Sequence, residues 1–201
     1  MKLWYLIAGL LVILVLGRMI NSRQRVSEKK LEQKVITVVE NKKSDYVFPV
    51  EEFEKRITKK TFGMYVTPSN SPVKPERFIG YHTGVDVEYG DVISDVPIKA
   101  IADGNVVVSR QASGYGGVVV IKHGEIYAIY GHLRLSSMVK ERVMVTKGEQ
   151  IGVLGKGFSS ETDGERKHLH FGISKTNSIK GYTATKTELE NNWIDPMTLW
   201  I

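Results

Sequence analysis

Between Thr83 and Ser174 the chain is cut into short apolar segments by glycine-bearing turns, and no stretch beyond residue 60 keeps a sustained helical period. Val85 to Glu88 alternates apolar and polar residues; Pro97 to Ala102 stops at Asp103-Gly104-Asn105, and Val106 to Ser109 follows at once. Gly116 to Lys122 and Ile126 to Tyr130 flank a hairpin turn around Gly124-Glu125. Val143 to Val145, Gln150 to Leu154 and Leu169 to Ser174 complete the series. Turn signals about every eight to twelve residues between such runs predict an all-β domain.

The remainder of the 201 residues suffices for an appendage but not for a second full domain. Leu3 to Leu16 carries no charge, with Lys2 before it and Arg18 after it. A run of about 15 apolar residues lies between a signal-peptide core and a short membrane helix, and a snorkelling Arg18 would lengthen it through Ile20. Residues 1–20 are therefore predicted to be a membrane anchor or signal segment, 21–45 a polar basic tether, and 46–201 the folded domain. Val50 to Ile57 reads as a short helix or strand leading in, and Pro68, Pro72 and Pro75 as an irregular surface loop. Arg18, Arg23 and Arg25, lying beyond the apolar run, would by the positive-inside rule alone keep the domain in the cytoplasm.

The net charge of +6 raises the question of nucleic acid, and its location answers it. Residues 1–60 carry 13 Lys/Arg against 7 Asp/Glu, while residues 61–201 carry 15 of each. The positive charge belongs to the tether, so no nucleic-acid partner is expected, and anionic lipid or wall polymer suits the tether instead.

Four of the five histidines fall in three motifs, His82-Thr83-Gly84-Val85-Asp86, Gly131-His132-Leu133 and His168-Leu169-His170. With no cysteine in the chain, a metal would be held by imidazole and carboxylate, a combination that suits zinc. Period-two alternation puts His168 and His170 on one face of a strand, with Leu169 and Phe171 on the other. The same count puts His82 and Asp86 on one face, with Gly84 between them leaving space for an ion or substrate. His123, at the hairpin turn, is expected to be solvated or capping.

These motifs and their order resemble the M23 family of zinc metallopeptidases, the lysostaphin-like or LytM-type domains. The resemblance covers roughly residues 58 to 176 and extends beyond the histidines. Phe62-Gly63, Ala102-Asp103-Gly104-Asn105-Val106-Val107, Tyr130-Gly131-His132-Leu133 and Lys147 to Gly155 (KGEQIGVLG) all match family segments. It implies a lysostaphin-like antiparallel sheet, one Zn2+ per chain held by His82, Asp86 and His170, and catalytic roles for His132 and His168. The implied reaction is hydrolysis of a peptide bond in peptidoglycan stems or cross-bridges. A wall substrate places the domain on the extracytoplasmic side of a cell membrane, spanned once by the N-terminal segment, or outside the cell if that segment is cleaved. The imidazoles lead to an expected pH-rate limb near about 6.5. Two departures border the cleft: Glu161 to Lys167 replaces a Gly/Thr/Pro-rich stretch, and Gly172 stands where a glutamate is common. The competing reading is a regulatory module that binds the wall or activates another hydrolase. It predicts gaps among the five positions, and none is present. A secreted lytic factor would add a wall-targeting domain, and after Trp193 only a closing segment remains.

Overall fold

In the computed structural model, which describes Arg25, Lys29 and residues 45–201, the alternating segments become twelve strands, and one short α-helix lies within 45–201. In chain order these are β1 (Tyr65–Val66), β2 (Gly80–His82), β3 (Gly84–Glu88), β4 (Pro97–Lys99), β5 (Gly104–Ala112), β6 (Gly116–His123) and β7 (Ile126–Leu133). There follow β8 (Met144–Val145), β9 (Gln150–Val153), β10 (His168–Ser174), β11 (Tyr182–Thr183), α1 (Lys186–Asn192) and β12 (Trp193–Ile194). A seven-stranded sheet runs β12-β10-β7-β6-β5-β8, with β3 also paired to β10, and every pairing in it is antiparallel. A three-stranded sheet, β1-β2-β11, and the pair β4-β9 complete the domain.

Valines and isoleucines on both faces of β6 and β7 explain why this sheet is covered on both sides. Val119 and Ile121 join Val85, Val87, Tyr130, Leu169, Phe171 and Ile173 in the larger core cluster, whereas Val118, Val120, Ile129 and Trp193 pack on the opposite face. The lead-in segment forms a single 3-10 turn, Glu54–Arg56, preceded by the buried Phe53, whose ring meets Phe171 edge-on at 5.6 Å. Removing a ring packed like Phe171 costs about 3–5 kcal/mol, so this side of the sheet anchors β10.

Two expectations change. His123 is not solvated: it is 4% exposed, because its odd position on β6 gives it the inward face of Val119 and Ile121. Tyr130 accepts from the Ile101 amide, leaving its hydroxyl to donate to His123 Nε2 at 3.3 Å while His123 Nδ1 donates to the Asp103 carbonyl at 2.9 Å. Second, α1 lies where no helical period is visible, since Leu189 is its one buried residue and a single apolar position shows no period. Its signal is the cap, in which the Thr185 hydroxyl accepts from the Glu188 amide. Among the described residues no helix is long and apolar enough to cross a membrane. The segment 1–20 expected to do so, and nearly all of the tether 21–45, lie outside those residues.

Burial pushes the His123 imidazole below its ordinary value, against the Asp103 carbonyl, which favours the charged form. A depressed folded pKa stabilises the fold above the unfolded value of about 6.5 and withdraws that stability as pH falls below it. His123→Ala should cost about 1–3 kcal/mol at pH above 7 by stranding its two partners, and should lose less stability on acidification than the parent. Urea unfolding of both proteins on either side of about pH 6.5 measures this; equal acid slopes would show that His123 carries none of the dependence.

Candidate metal centre

β10 lies between β3 and β7, and its register sets the site. Asp86 on β3 stands opposite His170, Glu88 opposite His168, and Gly131 on β7 faces His170 from the other side. His168 and His170 occupy the face away from Leu169, Phe171 and Ile173, as period-two alternation predicts.

His82 reaches the same point by another route. It ends β2, in the three-stranded sheet, and Asp86 lies within β3 of the large one, so the two do not share a continuous strand face. Gly84 does not leave room for an ion either. A Cβ there would sit 2.3 Å from the Phe171 carbonyl oxygen, so the glycine permits close approach of the β3 and β10 backbones.

His82 Nε2 lies 3.0 Å from His170 Nδ1 and 3.2 Å from Asp86 Oδ1, which is itself 3.2 Å from His170 Nδ1. Three donors around one tetrahedral zinc at about 2.0–2.2 Å stand roughly 3.3–3.5 Å apart, so the triangle nearly has the required size. The donor chemistry fits too. His82 Nδ1 faces the Thr61 carbonyl at 3.1 Å, which makes Nδ1 the protonated nitrogen and leaves Nε2 a lone pair. All three side chains are buried, and these three residues can hold a metal ion.

His132 arrives through an irregularity. Between the pairs Gly117–Leu133 and Val118–Gly131 the register slips, and His132 is the extra residue, with φ of 66°. Such a bulge re-aims one side chain out of the strand's alternation. Here it brings the His132 ring to 4.2 Å from that of His168, centroid to centroid. Gly131 has its own reason: a Cβ would meet the Tyr115 ring at 2.3 Å. His168 Nδ1 donates to the Arg166 carbonyl at 2.9 Å, and its Nε2 lies 3.5 Å from Asp86 Oδ2.

Burial pushes His132 down to about 3, helped by the neighbouring His170, and holds His168 well below the usual imidazole value, so both rings are uncharged at neutral pH. Burial alone would raise Asp86, but the imidazoles of His82, His168 and His170 around its oxygens outweigh that effect and hold the carboxyl well below the usual carboxylate range. A cleft of about 360 Å³ opens on these groups, also lined by Tyr115, Tyr182 and Arg166.

Sequence reasoning missed the polar groups around this core. Lys60 is 2% exposed and pairs with Glu76 at 2.5 Å, its ammonium also donating to the Tyr182 hydroxyl at 2.9 Å. It closes the basic stretch Lys55 to Lys60, and no pattern in the sequence marks it as buried. Arg166 sits in the Glu161 to Lys167 departure beside the cleft, as expected there, yet it is 8% exposed and salt-bridged to Asp86. Its signal was a cation two residues ahead of an all-buried strand.

Residues 80–182, just over half of the chain and spanning His82 through Tyr182, match the model of peptidase family M23. The chain belongs to peptidase family M23. A Haemophilus influenzae protein described as an uncharacterized metalloprotease is 38% identical over 111 residues, 51% of this chain and 22% of that protein. A second H. influenzae protein is 38% identical over 80 residues, 39% of this chain and 18% of its own length. The chain thus matches about a fifth of the length of these curated relatives. The catalytic domain of the antimicrobial peptidase lysostaphin from Staphylococcus simulans shares the fold, with a TM-score of 0.51, 23% identity, and coverage of 76% of this chain and 98% of that one.

Proposed function

We propose that this M23 protein is a zinc metalloendopeptidase that hydrolyses peptide bonds in the stems or cross-bridges of bacterial peptidoglycan. The carrying observation is the convergence of His82, Asp86 and His170 on one point, with two uncharged histidines beside it in the same cleft. Zinc bound there would act as a Lewis acid on the scissile carbonyl and lower the pKa of a water. His132 and His168, neutral and paired, would take that water's proton and return it to the leaving amine, or donate to the developing oxyanion. The His168 Nδ1 bond to the Arg166 carbonyl leaves Nε2 as the nitrogen that accepts. Residues 1–20 would anchor the chain so that the domain faces the wall, which is the proposed location.

The test is digestion of purified sacculi by the full-length chain, scored as released muropeptides, beside zinc analysis of the same sample. One zinc per chain with muropeptide release supports the reading; zinc without release favours a regulatory role. Burial also shifts the expected pH profile. Activity needs both histidines neutral and falls as pH drops through their depressed values, so the acid limb should lie well below about 6.5. Rates measured on samples checked for full zinc content should be flat from about pH 6.5 downward for at least a unit. A midpoint at or above 6.5 would contradict the assignment.

A further inference from the structure

Asp86 uses only one of its oxygens toward the histidine ligands. Oδ1 faces His82 and His170, while Oδ2 accepts from Arg166 Nη2 at 2.8 Å. The same guanidinium is locked from behind: Nη2 donates to Glu88 Oε1 at 2.6 Å, and Nε reaches both Glu88 oxygens at 2.9 Å. Asp86 and Glu88 are two positions apart on β3, so both carboxylates lie on one face of the strand, and Arg166 bridges them. The main chain of Arg166 acts as well, since its carbonyl takes the Nδ1 proton of His168.

We propose that Arg166 is a positioning residue for the metal centre: its fork occupies Oδ2 so that Asp86 offers a metal only Oδ1, and Glu88 fixes the fork. This rests on the reading that His82, Asp86 and His170 hold zinc. The planar guanidinium suits the task because it can meet two carboxylates at fixed angles, whereas an ammonium is a point charge on a flexible stem. Arg166 thereby joins the two halves of the site, with its side chain on a ligand and its carbonyl on the neighbouring His168.

Removing Arg166 alone confounds two effects, because it also makes the site one charge more negative and so more attractive to a cation. Arg166→Gln combined with Glu88→Gln removes the clamp at constant net charge. Zinc dissociation constants of the full-length chain are measured by chelator competition, and Arg166→Lys serves as the variant that keeps the charge and the fold. The double variant should bind zinc about 10–100-fold more weakly, the usual effect of losing a partner behind a ligand, and Arg166→Lys should fall between it and the parent. The visible absorption of cobalt(II)-loaded protein gives the second readout. It should weaken in the double variant, where Asp86 is free to offer both oxygens and raise the coordination number. Unchanged affinity and absorption in a variant whose zinc-free melting matches the parent overturn the clamp. Weaker affinity with an unchanged cobalt spectrum overturns it too, since that marks general loosening. Absence of zinc from the parent protein fails the metallopeptidase reading itself, a result distinct from either.

Discussion

His170→Ala is expected to leave the protein without zinc and to reduce sacculus digestion by about a thousandfold or more, since Lewis acidity and water activation are lost together. His170 Nδ1 is 3.0 Å from His82 Nε2 and 3.2 Å from Asp86 Oδ1, so its removal leaves two donors where a catalytic zinc site needs three. The strand should survive. Leu169, Phe171 and Ile173 hold β10 from the opposite face, and the neighbours β3 and β7 pair with it through backbone groups that the substitution does not touch. Zinc content by elemental analysis and melting temperature without metal separate loss of the site from loss of the fold. Stoichiometric zinc retained in His170→Ala would remove His170 from the ligand set. Loss of zinc with full activity would remove the metal from the reaction.

The features of this site that follow a period were readable in the sequence, and those that break one were not. His168 and His170 share a face because β10 is regular from end to end, and alternation alone places them. The pairing of His82 with Asp86 was readable as ligand chemistry but not as geometry, because the chain changes sheets at Thr83, between them. His132 sits on a register slip, so counting from Gly131 assigns it to the wrong face; only its resemblance to a family motif marked it. His123 errs in the opposite direction. Proximity to a turn suggested solvent, while the parity of β6, itself visible in Val119 and Ile121, pointed inward. Arg166 and Lys60 were hidden by composition, since a cation within a charged run reads as solvated until the carboxylates that bury it are located. Those carboxylates, Asp86 and Glu76, are far away in sequence, and strand pairing brings Asp86 to Arg166.

His132→Ala and His168→Ala should have a signature that no ligand substitution shares, with zinc retained and digestion reduced about 10²–10⁴-fold in each. Neither ring belongs to the His82, Asp86, His170 triangle, so the donor count is unchanged. His168→Ala should leave zinc affinity near that of the parent, because its unprotonated Nε2, 3.5 Å from Asp86 Oδ2, has no proton to give that carboxylate. The rings stand 4.2 Å apart and face the same cleft, so they are expected to act on one proton path as a unit. Residues that work as a unit are strongly non-additive, and the double variant should therefore be little slower than the slower single one. Losses that multiply would instead place the two histidines on separate steps. Loss of zinc from His132→Ala would move it into the ligand set, against the geometry, in which its ring meets His168 and its strand position is set by a bulge.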